Sequence, residues 1–189
     1  MISVVRELGD IVRDEFISSD DSGTKITLKE KKVPEYKPFP LNKGNSTTLT
    51  LEIDIDGFDG HPILKAGVEN LKKYPDYLIF CENKNFPEKI FVFIVELKSD
   101  NPGDWHRQAK AGLSVAQYLV GMLENFRKIK FNNIEYRCLL FHTKNSGMGS
   151  HKKKKISKQK FEYYEHPIFK YKFTDKPSSM PYDLELFIR

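Results

Sequence analysis

The chain has 189 residues, 39% hydrophobic and 13% aromatic, which excludes a disordered polypeptide and fits a single folded domain over residues 1–189. Its 31 lysines and arginines against 26 acidic residues leave a net charge of +5, a mild excess that suits a polyanionic partner without naming one. Charge enters at Arg6 and Glu7, too early for a secretory leader, and no apolar stretch is long enough to span a membrane, so the expectation is a cytoplasmic protein.

Residues 2–17 repeat apolar side chains at helical spacing. Val4, Leu8 and Ile11 lie in line, and Val5, Val12 and Phe16 widen the stripe. Glu15, four residues after Ile11, falls at the centre of that stripe. A polar loop over 18–24 leads to strands predicted at 24–29 and 48–56, joined by a Pro-, Lys- and Asn-rich connection. The second strand alternates: Leu49, Leu51, Ile53 and Ile55 share one face, while Thr50, Glu52, Asp54 and Asp56 share the other, which predicts one solvated face. Asp54 to Gly60 superficially resembles a calcium loop. Phe58 stands at a ligand position and no bidentate glutamate follows, so the segment reads as a turn within a glycine-bearing connection that reaches residue 74.

Two apolar runs follow at 76–82 and 90–98, split by the turn-like 83–87, and a hairpin is their natural pairing. Asp100 or Asn101 can cap the next helix, with Pro102 at its first position. That helix is predicted to run to about residue 125, with Ala109, Val115, Ala116, Leu119, Val120, Met122 and Leu123 forming one apolar arc. Gln108 lies inside the arc, in line with Gly112. A buried strand at 135–142 comes next, then a glycine- and lysine-rich loop over 143–160. Two alternating strands end the chain, marked by Phe169/Tyr171/Phe173 and Leu184/Leu186/Ile188. Cys81 and Cys138 sit in apolar runs and read as buried thiols. Neither they nor the five histidines show metal-ligand spacing.

The informative charges stand at the ends of the two apolar runs. Asp76 opens the first; Glu96 and Lys98 close the second and share one face of their strand, because side chains alternate. Paired strands would bring two carboxylates and an ammonium to one sheet edge. Two carboxylates suit a hard cation such as Mg²⁺, which binds through one or two of them plus substrate phosphate. A lysine beside that cation can position a water for phosphodiester hydrolysis.

Pro75-Asp76, nineteen intervening residues and then Glu96-Leu97-Lys98 resemble the signature of the PD-(D/E)xK nuclease superfamily. The resemblance implies an α/β domain with a mixed central β-sheet flanked by helices and a restriction-endonuclease-like core. It implies a Mg²⁺-dependent nuclease (Mn²⁺ as substitute) acting on DNA in preference to RNA. Asp76 and Glu96, with the main-chain carbonyl of Leu97, would hold the metal, and Lys98 and Gln108 would orient the attacking water. Glu15 would add a third acid from the first helix. Plainer roles stand beside these: Glu15 as a helix end turned to solvent, and Gln108 as a core amide satisfied by backbone. Lys152, Lys153, Lys154 and Lys155, followed by Phe161, Tyr163 and Tyr164, fit either a nucleic-acid-binding loop or a solvated connector. The competing function is a catalytically inactive nuclease-fold module binding nucleic acid or protein. A homodimer is the simplest way for so small a chain to cut both strands of a duplex.

Overall fold

The computed structural model describes residues 3–29, 38–55, 73–98, 105–131, 133–142, 157–163, 166–173 and 182–188. In chain order these form α1 (Val4–Gly9), β1 (Asp21–Ser22), β2 (Lys25–Leu28), β3 (Phe39–Asn42), β4 (Ser46–Glu52), β5 (Tyr77–Asn83) and β6 (Ile90–Lys98). Then come α2 (Trp105–Phe126), β7 (Ile134–His142), β8 (Ser157–Tyr163), β9 (His166–Phe173) and β10 (Tyr182–Asp183), with short 3₁₀ turns at Asp14–Phe16 and Leu184–Phe187. The result is a mixed α/β protein with two mixed sheets. The larger has the order β4-β5-β6-β7-β9-β8 and the smaller β1-β2-β3-β10.

Strands β4, β5 and β6 form an antiparallel meander, and β6 then pairs in parallel with β7. Parallel neighbours need a crossover, and α2 supplies it. One face of the meander (Leu49, Leu51, Leu78, Phe80, Val92, Ile94) packs against Val4 and Leu8 of α1 and Ala109, Leu113, Ala116, Val120 and Leu123 of α2. The opposite face (Tyr77, Ile79, Phe91, Phe93, Val95, Leu97) packs against Ile26, Leu28, Phe39 and Leu41 of the small sheet and the C-terminal Leu184 and Phe187. Burial on both faces explains why β5 and β6 are nearly unbroken apolar runs.

Several expectations need correction. Among the described residues both helices lie on one face of the large sheet, and the small sheet, not a helix, covers the other. The first helix ends at Gly9 rather than running to residue 17, because Gly9 and Asp10 are poor helix interior residues and the backbone is extended at Arg13. The face of β4 expected to be solvated lies beneath the small sheet: Thr50 is fully buried, and Thr48 and Thr50 donate hydroxyl bonds to Asp21. Lys43 supplies the counter-charge to that aspartate.

At the C-terminus, the predicted strand over Leu184/Leu186/Ile188 is a 3₁₀ turn. Leu184, Phe187 and Ile188 are buried while Leu186 is exposed, a three-residue rather than a two-residue spacing. β3 falls in the stretch read as connection, its Pro40 disguising a strand, and β8 overlaps the predicted lysine loop. The expected cap at 100–102, the connection over 57–72 and Lys152 to Lys155 lie outside the described residues.

Candidate active site at the end of strand β6

The β5–β6 register pairs Tyr77 with Val95, so the start of β5 meets the end of β6. Asp76 stands at that junction. Its Oδ2 accepts the Leu97 N–H at 2.6 Å, and its carbonyl accepts the Ile53 N–H at 3.2 Å, drawing the end of β4 to the same edge. Alternation from Leu78 and Phe80 places the Asp76 side chain on the helix-covered face, and alternation from Val92 and Ile94 places Glu96 and Lys98 there too.

Glu96 is held deeply, its side chain only 6% exposed, and its Oε1 lies 2.5 Å from the Nζ of Lys98, itself 27% exposed. A carboxylate so far from water needs a counter-charge. Lys98 provides one from two residues away on the same strand face. In β7 the partner of Glu96 is Leu140 and that of Lys98 is His142.

The crossover helix must start at the C-terminal end of β6 to bring the chain back, so the first turn of α2 stands over this edge. Gln108 lies in that turn, half-buried, and its Nε2 donates to the carbonyl of Tyr74 at 3.2 Å, two residues before Asp76. Fold and register thus bring Asp76, Glu96, Lys98 and the Leu97 backbone to one sheet edge, with Gln108 tied to the segment that leads into Asp76.

Glu15 does not join them as the helical stripe implied. It lies in the separate Asp14–Phe16 turn, 52% exposed, with a carboxylate oxygen 2.6 Å from Arg13. Among the described residues no group of three or more His, Cys, Asp or Glu side chains could hold a metal ion. The donors present, two carboxylates and a main-chain carbonyl, still fit a hard cation that keeps waters and takes phosphate oxygens for its remaining positions.

Two participants are not evident from sequence motifs. One is the Tyr74 carbonyl, which no side-chain pattern can announce. The other is Gly112, one turn after Gln108, where an added methyl group would lie 2.6 Å from Pro75 Cγ and 2.7 Å from Ile94 Cγ2. A glycine inside an apolar helical arc is the signal that could have found it, since it costs ~1 kcal/mol against alanine unless something needs the space.

This is a two-sheet mixed α/β protein in which one cluster of buried and half-buried charge sits where β5 begins and β6 ends. No protein-family model, curated protein or solved structure matches the chain. None of its described helices is long and apolar enough to cross a membrane.

Proposed function

We propose that this chain is a Mg²⁺-dependent nuclease of the PD-(D/E)xK kind, hydrolysing phosphodiester bonds of nucleic acid, with DNA preferred. The observation that carries the reading is the Leu97 N–H to Asp76 Oδ2 hydrogen bond, which docks the first acid onto the Glu96-Leu97-Lys98 segment across strands. The succession of α1, the β4–β5–β6 meander, α2 and a parallel β7 supports a restriction-endonuclease-like core.

Asp76, Glu96 and the Leu97 carbonyl would hold the cation. When bound it supplies Lewis-acid stabilisation of the phosphate and acidifies a water. Lys98, partly exposed and paired with Glu96 at 2.5 Å, would donate a hydrogen bond to the attacking water or to a non-bridging phosphate oxygen. Gln108, its Nε2 held by Tyr74, presents Oε1 to accept from the water and fix its line of attack. The water oxygen would bond to phosphorus as the opposite P–O bond breaks; the proton that the water gives up passes to solvent, and the leaving oxygen takes one up from solvent.

The test is cleavage of a panel of single- and double-stranded DNA and RNA with Mg²⁺ or Mn²⁺. Wild type should cut at least one substrate, and Asp76→Asn, Glu96→Gln and Lys98→Ala should each lose roughly a hundredfold or more while still folded at the assay temperature. A panel left intact with every metal would favour the inactive binding module instead, for which the direct Glu96–Lys98 ion pair is the supporting observation. Cleavage of both strands of a duplex should be accompanied by a dimer in light scattering.

A further inference from the structure

At Gly112, α2 comes so close to the large sheet that a side chain has no room. The two nearest atoms that a methyl group there would meet, Pro75 Cγ at 2.6 Å and Ile94 Cγ2 at 2.7 Å, are a ring carbon and the branch of a β-branched side chain. Neither is the free end of a flexible chain, and both residues are buried, so neither can swing aside. The two contacts also flank the candidate site along the chain. Pro75 immediately precedes Asp76, and Ile94 precedes Glu96 by two on the same strand face. One helical turn from Gly112, Gln108 reaches the Tyr74 carbonyl at 3.2 Å, close to the limit of a hydrogen bond. A helix lifted by even ~0.5 Å would leave the amide short of its anchor.

We infer that Gly112 is a positioning residue: it seats α2 against Pro75 and Ile94 at the depth that holds Gln108 over the Asp76–Glu96 edge. Its catalytic meaning rests on the nuclease reading, whereas the seating itself does not. A substitution at Gly112 acts through Gln108, so it lowers turnover rather than affinity. The same substitution costs nothing further once Gln108 has been removed.

The experiment is a double-mutant cycle with two readouts. Trp105, the chain's single tryptophan, is buried in the first turn of α2 three residues before Gln108, and its emission reports helix position without any activity. Gly112→Ala should shift that emission and lower kcat about tenfold or more, with KM within about twofold. In the Gln108→Ala background it should lower kcat no further. Pro75→Ala combined with Ile94→Ala, which deletes both clashing atoms, should restore emission and kcat in Gly112→Ala when measured against the Pro75→Ala/Ile94→Ala pair alone. An equal loss of kcat in both backgrounds, or an unmoved Trp105, would overturn the inference. If Gly112→Ala does not fold, the Gly112→Ala/Pro75→Ala/Ile94→Ala triple variant decides: folding with kcat near that of Pro75→Ala/Ile94→Ala supports positioning, and failure to fold where that pair folds assigns Gly112 a purely structural role. A wild type inert on every substrate defeats the nuclease reading, while the emission of Gly112→Ala still decides the seating of α2.

Discussion

At the scale of single residues, the Glu96–Lys98 pair sets the electrostatic problem of the site. Glu96 is almost wholly buried and Lys98 about a quarter exposed. Removing the ammonium leaves a buried carboxylate poorly compensated, which costs ~3–5 kcal/mol for fully enclosed pairs and less here because Lys98 touches water. Lys98→Met should therefore melt below wild type in EDTA. If Asp76 and Glu96 hold a cation, Mg²⁺ should raise the melting temperature of Lys98→Met by more than that of wild type, since the metal no longer displaces a resident ammonium. Equal increments in the two proteins would separate Lys98 from the metal site.

A second carboxylate carries a pH signature. Burial pushes the pKa of Glu135 up, but hydrogen bonds from Lys89 and Arg137, and their charges, outweigh it and hold the group below its ordinary 4.5. A depressed folded pKa contributes stability above the unfolded value that disappears as pH falls through the folded one. Stability should thus decline below pH 4.5, and Glu135→Gln should flatten that acid limb in urea titrations while lowering stability at neutral pH. A limb of unchanged slope would remove Glu135 from the acid response. Cys81, whose thiol burial pushes up to about 12, should stay protonated and inert to thiol reagents in the native protein.

At the scale of elements, α1 shows how short a helix tertiary contacts can sustain. Six residues are too few for an isolated helix. Its N-terminus is anchored by Glu82 at the far end of β5, where Oε1 accepts the Val4 N–H at 2.8 Å and Oε2 accepts the Ser3 hydroxyl at 2.6 Å. A carboxylate at that pole satisfies otherwise orphaned donors and meets the positive end of the helix dipole. Glu82→Ala should cost about 1–2 kcal/mol in urea unfolding, with Glu82→Gln recovering part of it; a neutral Glu82→Ala would leave apolar packing alone to hold α1.

The same element marks a boundary of what the sequence discloses. Asp76, Glu96 and Lys98 were legible because each interrupts an apolar run that burial on both faces makes continuous. Gln108 was legible because α2 is long and strongly periodic. Glu15 was misplaced because apolar spacing continued through residues 2–17 while the backbone broke at Gly9 and Asp10, and spacing alone does not register the break. The second sheet stayed hidden for a related reason: β2 was expected within 24–29, but its companions β1, β3 and β10 are two to four residues long, too short for alternation to stand out, and β3 contains Pro40.

At the scale of the whole molecule, the site edge is held from two sides by cores that share β5 and β6. The helix-side core contains Trp105, and the inter-sheet core contains Phe187 at the C-terminal turn. Arg137 ties that turn down. Its Nη1 donates to the Phe187 carbonyl, its Nη2 meets Glu135 at 2.6 Å, and its guanidinium lies 5.0 Å over the Phe91 ring. Because both cores line opposite faces of the same strands, neither can melt without exposing apolar surface of the other, and a single cooperative transition is expected. Phe187→Ala, which empties a fully buried position, should cost about 3–5 kcal/mol. The midpoint read from Trp105 fluorescence, on the opposite face of the sheet, should fall in step with that from far-ultraviolet circular dichroism. Should the Trp105 transition keep its wild-type midpoint while circular dichroism shifts, the cores would unfold separately, and the small sheet would be a cover that the edge bearing Asp76 and Glu96 can lose without losing its own shape.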